Sequence, residues 1–158
     1  MISREAMRDL SNALTLLLAD MVALYIKTKN FHWHLSGPHF HAYRLMLGEQ
    51  ARQILATTDL IAERVRKIGG TTLHSVSHVG RLQRILDNDA YTFVQMDMLA
   101  ELCDDNRDLT RNLRQLHALC GDHRDAATAS LLETWIDEAE GRTWHLRETV
   151  DTECTSRT

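Results

Sequence analysis

Leu10-Ser11-Asn12-Ala13-Leu14-Thr15-Leu16-Leu17-Leu18-Ala19-Asp20-Met21-Val22-Ala23-Leu24-Tyr25 is the stretch whose periodicity decides the fold class. Leu10, Ala13, Leu14, Leu17, Met21, Leu24 and Tyr25 recur every three or four residues, the repeat of one helix face. Asn12, Thr15 and, further on, Lys27 fall between them, so the helix has one apolar side and must pack against something. Ser3 is placed to cap it, with Arg4, Glu5 and Ala6 in the first turn. The predicted first helix spans about residues 3–33.

Outward from it, Ser36-Gly37-Pro38 forces a break. A second helix is expected over about 39–68, roughly 45 Å long at 1.5 Å per residue, ended by Gly69-Gly70. The pattern weakens from Thr71 to Asp89, with a short helix expected near 80–87. Met98, Leu102, Leu109, Leu113, Leu116 and Leu119 mark a third long helix over about 91–120. Gly121-Asp122 breaks it, and Ala127, Leu131, Leu132, Trp135, Ala139 and Leu146 mark a fourth over about 124–151. Four long helices with one long middle connection predict an all-α, ferritin-like four-helix bundle with a short helix in the crossover. The 158 residues fit one domain, 1–158.

Composition narrows the function. One proline and seven glycines favour long helices over a turn-rich sheet. The net charge of −4 and the lack of a basic run at either end argue against strong DNA binding. Cys103, Cys120 and Cys154 are odd in number and show no CxxC spacing, so free thiols in a reducing cytosol are expected. The run Leu14–Tyr25 is interrupted by Thr15 and Asp20 and is too short to span a bilayer; with no secretion signal at the start, a cytoplasmic, membrane-free protein is expected. A phosphate loop, a GxSxG elbow and an HExxH pair are all missing from the sequence.

The histidines His32, His34, His39 and His41, followed by Asp59 and Glu63, carry what chemistry there is. On a wheel of about 100° per residue with Arg44 at 0°, Gly48 falls near 40°, His41 and Asp59 near 60°, Arg52 near 80° and Glu63 near 100°. One stripe of the second helix therefore holds all six. Asp59 and Glu63 are four apart and project together, a pair that a cation would bridge. The plain alternatives are a salt-bridged helix face and a contact between subunits.

Lys29-Asn30-Phe31-His32-Trp33, Gly37-Pro38-His39-Phe40 and Asp59-Leu60-Ile61-Ala62-Glu63-Arg64 resemble the Dps family, the mini-ferritins known as DNA-binding proteins from starved cells. The likeness runs without a gap from His32 to Arg64, continues through Ile68-Gly69-Gly70, and returns at Thr128–Leu132 and Thr143–Arg147. It implies a hollow shell of twelve copies. Such a shell binds ferrous iron at sites shared between subunits, oxidises it and stores the mineral, protecting against oxidative stress; some members also bind DNA.

By that resemblance His32, Asp59 and Glu63 are metal ligands, divided between two adjoining copies. Arg44 stands where the family has a second histidine, and Gly48 where it has an acid. An arginine stays protonated and cannot ligate a metal. The family's ferroxidase activity is therefore expected to be slow or lost, with iron at low occupancy in the inter-subunit site. His41 shares the stripe as an auxiliary ligand candidate. Trp33 is expected either near the site or packed between subunits. Asp122 and Asp125, at the start of the last helix, are pore candidates; helix capping is their ordinary role. The rival readings are a structural or DNA-associated shell without redox activity, and a helical bundle that pairs with another protein.

Overall fold

The computed structural model describes residues 2–156, and these fold as five helices. They are α1 (Arg4–His34), α2 (Phe40–Lys67), α3 (Val76–Leu82), α4 (Gln95–Asp122) and α5 (Ala126–Ser156). The four long ones form the bundle: α1 packs chiefly on α2, α4 chiefly on α5, and α1 also touches α4. The result is all-helical, with the short helix in the crossover between the two hairpins.

Ser3 caps α1 as its position predicts, its Oγ accepting the Ala6 N–H at 3.0 Å. Leu10, Leu14, Leu17, Met21 and Leu24 are fully buried, with Phe31 continuing the stripe. Facing them are Leu47, Ile54 and Ile61 of α2, Leu99, Leu102 and Leu109 of α4, and Leu132, Trp135 and Leu146 of α5. Each such side chain contributes about 1.5–3 kcal/mol when removed from water. By length and apolar content α1 would suffice to cross a membrane, contrary to the short span read from Leu14–Tyr25. Most of that apolar length is buried inside the bundle, packed against the other long helices.

The crossover departs from expectation. Its helix lies at Val76–Leu82, not 80–87, because Ser75 caps it by accepting the His78 N–H. It cannot continue: the N–H groups of Arg84 and Ile85 turn to the Asp20 carboxylate instead of to helix carbonyls. The third long helix starts at Gln95, not near Tyr91. The Asn88 Oδ1 takes the Ala90 N–H, and Val94 is extended at the N-cap. The preceding chain packs Phe93 edge-on against Phe31, ring centroids 5.4 Å apart.

Two glycines in the turn after α2 are there for different reasons. Gly69 adopts φ +100°, open to glycine and strained for other residues. A Cβ at Gly70 would lie 2.1 Å from Ser11 Oγ, so the end of α2 lies directly on α1. Cys103 and Cys120 are free and buried, and burial pushes the Cys120 thiol up to about 11; the side chain of Cys154 lies outside those described.

Candidate metal centre on the face of α2

The last turn of α1 and the first turns of α2 bring His32 against Gly48. A Cβ built on Gly48 would stand 3.2 Å from His32 Nε2 and 4.0 Å from an Arg52 Nη. On the other side of the ring, Nδ1 lies 3.4 Å from Lys29 Nζ. Arg44 folds back over the same place: its Nη1 donates to the His32 carbonyl at 3.4 Å, and its guanidinium lies 5.9 Å from the Phe40 ring. The half-buried imidazole thus sits among three cations.

Burial is the largest cause lowering the His32 pKa, followed by Lys29, Arg44 and Arg52. The ring is therefore held neutral with a lone pair to offer, in surroundings that repel a metal ion. The folded state disfavours the imidazolium. The stability this ring contributes is present above the ordinary value of 6.5 and lost as pH falls through the lowered folded value. Replacing Arg44 with Leu should move the His32 midpoint upward. Deuterium exchange at its Cε1 across pH, read by peptide mass spectrometry, measures this; an unmoved midpoint would remove Arg44 from the field at the ring.

Asp59 and Glu63 are exposed on α2, about 16 Å along the helix from Gly48 for the nearer one. They do not join His32 within one chain. Among the described residues, no three His, Cys, Asp or Glu side chains gather closely enough to hold a metal ion. A centre using His32, Asp59 and Glu63 therefore needs a second copy. Trp33 is exposed beside the site, with Lys29 Nζ 5.5 Å from its ring centre. His41 is exposed, its ring 5.4 Å from that of Phe40.

The two pore candidates differ sharply. Asp122 is exposed at the end of α4. Asp125 is buried and opens α5, accepting the Thr128 N–H at 3.1 Å and an Arg64 N–H at 3.0 Å. Burial opposes its ionisation, but the Thr128 bonds and Arg64 outweigh that and hold its carboxyl below the usual range. Asp125 is a helix cap, with its oxygens turned into the protein. Lys29 is the residue that reading α2 alone overlooks; its i,i+3 spacing to His32 is the signal that places it beside the ring.

The chain matches the ferritin-like domain over residues 11–154. It is 31% identical over 149 residues to a DNA protection during starvation protein of Halobacterium salinarum, covering 89% of this chain and 77% of that one. The chain belongs to the Dps family. A low temperature-induced protein of Nostoc sp., itself uncharacterized, is 32% identical to this Dps chain over 148 residues, covering 93% and 83%. Among solved structures, the antigen TpF1 of Treponema pallidum superposes on the Dps chain with a TM-score of 0.91 at 25% identity, covering 95% and 96%.

Proposed function

We propose that this Dps chain assembles with copies of itself into an iron-storing shell whose inter-subunit centre oxidises iron slowly. Kinship with ferritin-like proteins supports iron handling in general, and the relatives named for DNA protection during starvation support a protective role. The observation carrying the slow step is the positive field at His32. Of the expected ligands, His32, Asp59 and Glu63 remain, one imidazole and two carboxylates, a donor set suited to iron. Arg44 adds a fixed positive charge beside His32, and Gly48 offers no donor.

Ferrous iron is the substrate here. His32 offers its neutral nitrogen, and Asp59 and Glu63 of the adjoining copy offer oxygens. The guanidinium of Arg44 competes for those oxygens. At about 4 Å and an effective dielectric near 20, one unit-charge pair is worth about 4 kcal/mol before screening. A first ion is held weakly, and a second, which a two-electron peroxide reaction needs, lacks its ligands.

The shell of twelve copies, the cytoplasmic setting and weak or absent DNA binding belong to the same proposal; the −4 charge supports the last of these. The test is oxidation of ferrous iron by peroxide and by oxygen, followed optically with metal content measured afterwards. Slow, sub-stoichiometric loading is expected. Fast loading that Asp59→Ala abolishes would overturn the proposal.

A further inference from the structure

We propose that, in the inter-subunit contact already invoked for the metal centre, Arg44 and Arg52 hold the partner's Asp59 and the partner's Glu63 in a lock that needs no metal. The proposal deepens the inter-subunit reading above and rests on it for the choice of face. The partner is a second copy of this chain, and the argument for it is charge order along one helix.

The stripe of α2 carries Arg44 and Arg52 in its first half and Asp59 and Glu63 in its second, with Arg66 following at the helix end, where it donates to the Gly70 carbonyl. A twofold interface must be complementary to itself. Antiparallel pairing lays each basic half over the other's acidic half. With the axis passing between Gln53 and Ile54, Gly48 falls opposite the partner's Asp59 and Arg44 opposite the partner's Glu63. Arg44 and Arg52 each lie one turn from Gly48, on either side of it.

Gly48 then has a role that a missing ligand does not explain. With no side chain there, a carboxylate can enter the space in front of His32 Nε2, between two guanidinium groups. Within the chain, among the described residues, Arg44, Arg52, Asp59 and Glu63 form no ion pair. Arg44 has given one donor to a backbone carbonyl, and its fork carries five. Leu45 and Leu55 are 69% and 48% exposed on the same stripe, apolar surface that such docking would cover. Guanidinium–carboxylate pairs with forked geometry are among the stronger charge-assisted bonds.

The test uses the full chain in chelator, with mass followed by analytical ultracentrifugation against protein and salt concentration. Wild type should stay assembled without metal and loosen as salt rises. Arg44→Glu and Glu63→Arg should each raise the dissociation midpoint by about tenfold or more, and the double charge swap should bring it back to within about threefold of wild type. Unchanged circular dichroism establishes folding, and the milder Arg44→Gln with Glu63→Gln serves if a reversal fails to fold. The proposal is overturned if the single variants assemble as wild type, if the double swap does not recover, or if chelator dissociates the protein and ferrous iron restores it. Iron oxidation on the same samples separates the two readings. Fast oxidation in a metal-independent, salt-sensitive assembly would remove the slow-centre reading and leave the lock standing.

Discussion

Arg44→His combined with Gly48→Asp is expected to accelerate ferrous oxidation at least about tenfold over the parent chain. The change removes a fixed cation beside His32 and supplies two donors at positions now without one. Screening in a half-exposed site reduces the bare repulsion of about 4 kcal/mol, but only 1.4 kcal/mol of it is needed for a tenfold change. Space is available at modest cost. A Cβ at position 48 comes within 3.2 Å of His32 Nε2, and Lys29 Nζ lies 3.4 Å from Nδ1. A shift of a few tenths of an ångström accommodates it. Stopped-flow oxidation at matched shell concentration measures the gain, and Asp59→Ala in that background should return it to the parent rate. A double variant that assembles normally yet oxidises no faster would show that the two substitutions do not limit the chemistry.

Asp20→Ala should be strongly destabilising although it lies far from the site. The residue is 0% exposed, and its carboxylate gathers four donors from the crossover. Oδ1 accepts the Arg84 N–H at 2.6 Å and the Ile85 N–H at 3.3 Å, while Oδ2 accepts Arg84 Nε at 2.8 Å and lies 2.7 Å from Arg84 Nη2. Alanine would leave two backbone donors without partners next to the buried Ile85. Each such loss costs about 1–3 kcal/mol. Arg84 is 42% exposed and recovers water, so the whole effect should be about 3 kcal/mol. In a chain of this size that is a fall in Tm of roughly 10 °C. Asp20→Asn keeps an acceptor and should fall between. Calorimetry on the assembled protein decides; a Tm within a degree or two of wild type would mean the crossover is held by something else.

The same residue shows where a sequence stops being legible. The α1 stripe from Leu10 to Leu24 could be read from its period, because burial on a helix repeats every three or four residues. Asp20 reads there as an interruption of an apolar run. It is in fact a buried acceptor for residues 64 and 65 positions away, a pairing with no local signature. That clasp, together with the Ser75 cap, is why the short helix ends at Leu82 when composition pointed to 80–87. The setting of the candidate site was legible only in part. A wheel puts Arg44, Gly48, Asp59 and Glu63 on one stripe, but it cannot give the approach of α1, which sets Lys29 and Gly48 on opposite edges of the His32 ring. Spacing did offer Asp125 as a helix cap, with Thr128 three residues on, but it could not show the carboxylate closed off by Arg64, 61 residues away.

The tight approach at Gly48 makes the order of genetic change matter. An aspartate introduced there while Arg44 and Arg52 remain would be held by the two guanidinium groups beside His32. That variant should gain no iron chemistry, and under the proposed lock it would displace the partner's Asp59. If the centre is slow as proposed, engineering faster oxidation should therefore exchange position 44 before position 48.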